Sequence, residues 1–179
     1  MNISNIFTKT NLRILDLIDK EPSHIRDIAS KLKISPGKVQ QAINLFRKHN
    51  FILEKKLKNR IEISLNKKNV IIQKIKSLIN YSKLTSTRTY NKLEKLGKIG
   101  LYGSFNKGTD DKESDIDLFI QTDKKELEIT PMIRELEKEM KRKVNFIILN
   151  KEKIKQLKEN DPEFYIRLKL TSTKGDLFD

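Results

Sequence analysis

The sequence predicts a two-part α+β protein: helices closed by a β-hairpin, followed by a small α/β sheet with flanking helices. Three observations predict it. Apolar residues recur every three or four positions up to about residue 50, then at every second position around residues 51–65. Beyond residue 88, short strand-like runs alternate with helical ones. Charge is shared unequally: of a net +14, residues 1–86 hold 18 Lys/Arg against 6 Asp/Glu, whereas residues 87–179 hold 20 against 18.

The bulk numbers narrow the function classes. A chain of 179 residues makes one compact domain or two small ones. It contains no cysteine, which excludes a disulfide framework and a thiolate metal site. The first 20 residues lack the basic-then-apolar layout of a signal peptide. No apolar run approaches the roughly 20 residues that cross a bilayer. A cytoplasmic protein with no membrane partner is expected. The basic first half attracts polyanions at long range, so it is the candidate for nucleic acid. Genome composition can also raise lysine content, so charge alone does not decide the point.

Three helices come first. "TNLRILDLIDK" puts Leu12, Leu15 and Ile18 on one face, widened by Ile14 and Leu17. "SHIRDIASKLK" offers Ser23 as N-cap and a stripe of Ile25, Ile28, Ala29 and Leu32. "SPGKVQQAINLFRKHN" has Ser35 as N-cap, Pro36 at the first helical position, and Val39, Ala42, Ile43 and Phe46 inward. The period then changes to two. Phe51, Leu53, Leu57, Ile61, Ile63 and Leu65 describe two strands that reverse near Asn59. Residues 68–83 read as a helix with Ile71, Ile75, Leu78 and Ile79 along one side. The polar "LTSTRTYN", 84–91, is the expected domain boundary. After it come strands "KIGLYG", "SDIDLFIQT" and "KVNFIIL". A helix capped by Thr130 with Pro131 at its first position separates the last two strands, and two helices close the chain, with Phe164 and Leu168 inward.

Three helices and a basic hairpin over roughly residues 8–67 resemble a winged helix-turn-helix domain. The resemblance implies that the third helix enters a major groove. It presents Lys38, Gln40, Gln41, Asn44, Arg47 and Lys48, while Lys55, Lys56, Lys58 and Arg60 of the wing meet backbone phosphates. Docking of a protein or a dimer mate is the alternative use of this module. His24 and His49 are expected at the surface, too far apart in sequence to suggest a metal site. The expected division is a winged domain at 1–67, a connecting helix and linker at 68–87, and a second domain at 88–179.

In that second domain one stretch carries chemistry: "YGSFNKGTDDKESDIDLFI". Residues i and i+2 of a strand share a face, roughly 6–7 Å apart. Asp115 and Asp117 therefore point the same way, while Ile116 and Leu118 point into a core. Two adjacent carboxylates suit a hard divalent cation such as Mg²⁺. Gly103 permits close backbone approach, and Ser104 with the following N–H groups can cradle a phosphate. Lys107 is placed to reach a phosphate or to stand in solvent. Asp110, Asp111 and Glu113 read as solvated loop charges, and Tyr90 and Tyr102 as buried.

The pattern Gly-Ser, ten residues, Asp-x-Asp closely resembles small nucleotidyltransferases of the DNA polymerase β superfamily, in particular the minimal "MNT" type. The match runs through Gly108 and Ser114 and covers roughly residues 88–150. A winged domain ahead of it looks like an archaeal-type arrangement. The resemblance implies transfer of a nucleoside monophosphate from a nucleoside triphosphate, such as ATP, to a hydroxyl. Gly103 and Ser104 would hold the triphosphate; Asp115 and Asp117 would hold Mg²⁺ or Mn²⁺. It also implies a candidate partner, a HEPN-type protein in a toxin–antitoxin pair, while the helix at 68–83 could pair with a second copy in a homodimer. A third acid is expected on the neighbouring strand, and the sequence departs here, with Asn145 at that place. An amide is uncharged and cannot act as a base at neutral pH. Glu126, Glu128 or Asp161 are candidates to replace it. The sequence therefore carries two readings: an active transferase, or a DNA-binding regulator whose second domain binds nucleotide or partner with impaired chemistry.

Overall fold

The computed structural model describes residue 6 and residues 8–171. Two compact units make up the chain, Met1–Lys76 and Ser77–Asp179, and the division falls inside a continuous helix.

The first unit contains α1 (Lys9–Lys20), α2 (Ile25–Leu32), α3 (Pro36–Lys48), the antiparallel pair β1 (Ile52–Leu57) and β2 (Arg60–Leu65), and the start of α4 (Val70–Thr85). Thr8 Oγ1 caps α1 by accepting the Asn11 N–H, and Ser35 Oγ caps α3 by accepting that of Lys38. Ile14, Ile18, Ile28, Val39, Ile43 and Phe46 are almost fully buried. Each such side chain stabilises by roughly 1.5–3 kcal/mol on leaving water. Three helices followed by a hairpin give the unit a winged helix-turn-helix architecture.

Three expectations fail in informative ways. Ser23 does not cap α2; His24 holds the N-cap position with no side-chain cap bond. Ser23 is instead buried in a two-way backbone bridge to Ile63, adding a one-residue third strand to the wing. His24 is half-buried, its Nδ1 standing 2.9 Å from Ile61 O. The hairpin packs Phe51 and Ile52 inward and leaves Leu53, Leu57 and Ile61 exposed, because Ile52 faces Leu65 across the ladder. A register of one residue moves a strand's whole apolar set to the other face. In α4 the buried residues are Ile72, Ile75, Lys76, Asn80 and Leu84, whereas Leu78 is 57% exposed. Lys76 is inside because Asp19 Oδ2 pairs with it at 2.9 Å.

The second unit holds the rest of α4, then α5 (Arg88–Glu94), β3 (Lys98–Tyr102), α6 (Gly103–Lys107), β4 (Ile116–Gln121), α7 (Glu126–Met140), β5 (Val144–Leu149), α8 (Lys151–Asn160) and α9 (Pro162–Thr171). The sheet order is β3-β4-β5, with β3 antiparallel and β5 parallel to the central strand. Strand alternation sends Ile116, Leu118 and Ile120 into a core with Ile129, Ile133 and Leu136 of α7. Phe119 points the other way and packs with Leu149 and Leu168. Asp117 shares that second face by the same parity.

Helix α7 starts earlier than its proline suggests. Glu128 Oε1 accepts the Lys125 N–H at 3.1 Å, closing the helix end, and this bond holds its carboxyl below the usual range. Acids in a first turn favour a helix start. Pro131 then falls inside the helix, and the Thr130 hydroxyl donates to Glu126 O.

Candidate functional site

β3 ends at Tyr102, and the chain turns at once into α6. Gly103 makes this turn with φ +70°, in the left-handed region. A Cβ there would lie 2.2 Å from Asp117 Oδ2. The carboxylate therefore rests directly on the Gly103 backbone. Ser104 follows in the same turn of α6 and is partly exposed. Lys107, at the end of α6, is exposed.

Asp117 lies opposite Tyr102 on one side and Asn145 on the other. Asp115 precedes β4 by one residue. Asn145 Nδ2 donates to Asp115 Oδ2 and to Asp117 Oδ1, at 3.1 Å in each case. One amide spanning both carboxylates means that the two acids face the same point. Lys143 Nζ stands 4.0 Å from Asp115 Oδ2, with its side chain 71% exposed. Burial raises the Tyr102 phenol above its ordinary value, and the charge of Asp117 raises it further.

The donor set fits one hard cation. Two carboxylates converge on a point where the positive end of an amide dipole now stands, and hard cations take oxygen ligands. Among the described residues no group of three or more His, Asp or Glu side chains is placed to hold a metal ion. Two of the suggested replacements, Glu128 and Asp161, are engaged at helix ends, and Glu126 is exposed. Glu128 caps α7, Asp161 Oδ1 accepts the Phe164 N–H, and Glu126 lines a 470 Å³ groove with Phe146, Leu149 and Leu157.

Some residues that shape the site gave no sequence signal. Asp110, expected as a solvated loop charge, is 2% exposed. Its Oδ2 accepts from Arg142 Nη1 at 2.8 Å and its Oδ1 from Asn80 Nδ2 at 2.9 Å. Both partners are distant in the chain, so only the fold reveals the pairing. Asp111 and Glu113 stay exposed, and Ser114 Oγ closes the loop on Asp111 Oδ1 at 2.8 Å. Tyr90 is buried as expected.

In the winged unit, Lys38, Gln40, Gln41, Asn44, Arg47 and Lys48 are all exposed on α3, as are Lys55, Lys56, Lys58 and Arg60 on the hairpin. Arg47 is already engaged. Its Nε and Nη2 donate to the two Glu54 oxygens at 2.9 and 2.7 Å, and its Nη1 donates to Asn44 Oδ1 at 2.8 Å. Gln40 Nε2 joins the same Asn44 oxygen at 3.0 Å.

A mixed sheet with a glycine turn under a D-x-D strand, preceded by a winged unit, defines a two-module protein with a nucleotidyltransferase-type second module. Residues 83–161 match the family described as "Polymerase beta, Nucleotidyltransferase", and this part of the chain is a nucleotidyltransferase domain of that family. No curated protein matches the chain. Among solved structures it is similar to two mutant forms of Lactococcus lactis ZitR, at 30% and 28% identity. Each likeness covers 49% of this chain, and 66% or 68% of the other, with a TM-score of 0.34. The winged architecture rests on the helices and hairpin themselves and not on that likeness. Among the described residues no helix is long and apolar enough to cross a membrane.

Proposed function

We propose that the protein is a cytoplasmic, divalent-cation-dependent nucleotidyltransferase that a winged module at 1–67 carries to nucleic acid. Gly103, Ser104 and Lys107 bind the phosphates of a nucleoside triphosphate. Asp115 and Asp117 hold Mg²⁺ or Mn²⁺, which when bound supplies neutralising charge for the triphosphate. The acceptor hydroxyl oxygen bonds to the α-phosphorus as the bond to the bridging oxygen breaks, pyrophosphate leaves, and the hydroxyl proton passes to solvent. The observation that carries this reading is the seat of the Asp117 carboxylate on the Gly103 backbone. It makes the anion-binding turn and the acid pair one site.

A second reading has its own observation. Asn145 stands in register with Asp117 where a third acid is expected, and it presents an amide. On this reading the domain binds nucleotide or a partner with impaired turnover. The whole protein then serves as a DNA-binding regulator or an antitoxin-like partner of a HEPN-type protein, alone or as a homodimer. Exposed Lys38, Gln40, Gln41, Lys48 and the wing lysines support nucleic-acid binding in both readings.

Incubation with labelled nucleoside triphosphates, Mg²⁺ or Mn²⁺ and a cell lysate separates them. The enzyme reading expects transferred label that disappears in Asp117→Ala. Label that survives this change removes the site from consideration. Nucleotide binding without transfer selects the second reading.

A further inference from the structure

A helix of five residues cannot hold its own shape, because one turn fixes several dihedrals for almost no internal hydrogen bonding. Two carbonyls of α6 are satisfied by side chains of α4. Asn80 Nδ2 donates to Phe105 O at 3.0 Å, and Ser77 Oγ donates to Asn106 O. Asn80 is in turn held by Asp110, which is buried and paired with Arg142. Arg142 also donates to Asp111 O and lays its guanidinium over the Phe105 ring, 5.3 Å from the centroid. A carboxylate leaves water only against strong compensation. Asn80 and Arg142 supply compensation here, and both reach α6 or the loop behind it. The strand residue Asp117, by contrast, is placed by ladder pairing with Tyr102 and Asn145.

We propose that Asp110, Asn80 and Arg142 form a positioning clamp that fixes α6 beyond Gly103, and with it Ser104, for the phosphates of a nucleoside triphosphate. The clamp rests on the reading of Gly103 and Ser104 as phosphate-binding residues. It acts on the anion side of the site; the acid pair keeps its seat, because the ladder pairing of Tyr102 with Asp117 holds Gly103 from the strand side. Its loss weakens nucleotide binding and spares cation binding, a split that a merely structural role does not produce.

The test uses the full chain. Mn²⁺ alone is titrated by electron paramagnetic resonance, and each of the four ribonucleoside triphosphates with Mg²⁺ by calorimetry. Wild type is compared with Asp110→Asn and Asn80→Ala; the latter leaves the Asp110–Arg142 pair in place and decides the matter where Asp110→Asn does not fold. Nucleotide affinity should fall about tenfold, the scale of one lost hydrogen-bonded network, with Mn²⁺ affinity unchanged. Equal nucleotide binding by wild type and a folded Asn80→Ala overturns the clamp alone. Parallel loss of Mn²⁺ and nucleotide also overturns it, because these residues then only hold the fold. A wild type that binds none of the four nucleotides overturns the functional reading, and the clamp with it.

Discussion

The backbone of Gly103 is the floor on which the Asp117 carboxylate rests, with room for no Cβ between them. Two costs therefore meet in Gly103→Ala. A side chain at φ +70° is strained by about 1–2 kcal/mol, and the methyl displaces the carboxylate. We expect the denaturant midpoint to fall accordingly and Mn²⁺ binding to weaken in the same variant. Unchanged stability together with unchanged Mn²⁺ binding would show that the turn is not confined in this way.

Asn145→Asp should change sign with the cation. Without metal, a third carboxylate replaces an amide that donates to both acids, and each like-charge pair near 4 Å costs about 1 kcal/mol in water. With Mg²⁺ the same group becomes a ligand, and ligand binding stabilises the folded state. Melting temperature should lie below wild type in a chelator and above it in millimolar Mg²⁺, and nucleotidyl transfer should rise. A variant that melts below wild type under both conditions would mean that position 145 does not face the cation.

Glu54 ties α3 to β1 through its fork with Arg47. Glu54→Gln should free one cation on the face of α3. Duplex DNA affinity, followed by anisotropy across a salt series, should increase, and the log–log slope should steepen by about 0.9. The hydrogen bond from Arg47 holds the Glu54 carboxyl below its usual range and raises the guanidinium. Because the folded value is depressed, the stabilisation is present above the ordinary glutamate range and is lost as pH falls through that depressed value. The stability gap between wild type and Glu54→Gln, below about 1 kcal/mol for so exposed a pair, should close in acid. A gap that widens in acid would contradict the assignment.

Local chemistry written in consecutive residues was readable in advance. The cap at Ser35, the strand parity of Asp115 and Asp117, and the inward Ile116 and Leu118 involve neighbours a few positions apart. Where an outcome depended on which face a strand offers, the sequence was ambiguous. Phe51 and Leu53 alternate as an inward pair should; Phe51 is buried, yet Ile52 and not Leu53 joins it, because the partner of Ile52 across the ladder is Leu65. The helix ahead of Pro131 was hidden for a similar reason: the Glu128 side chain closes the end at Lys125, five residues upstream of the expected cap.

The sequence alone determined that the chain carries two acids facing one way beside a Gly-Ser turn, and that a neighbouring strand presents an amide in place of an acid. The first follows from the period of a strand, and the second from the resemblance to small nucleotidyltransferases, which implies an acid at that place. The tertiary structure alone decided that Asn145 bridges the pair, that Gly103 lies beneath Asp117, and that Asp110 is a buried anion and not a wet one. The reason is physical: what a charge costs depends on the groups the fold brings around it, and Asn80 and Arg142 come from positions 30 and 32 residues away.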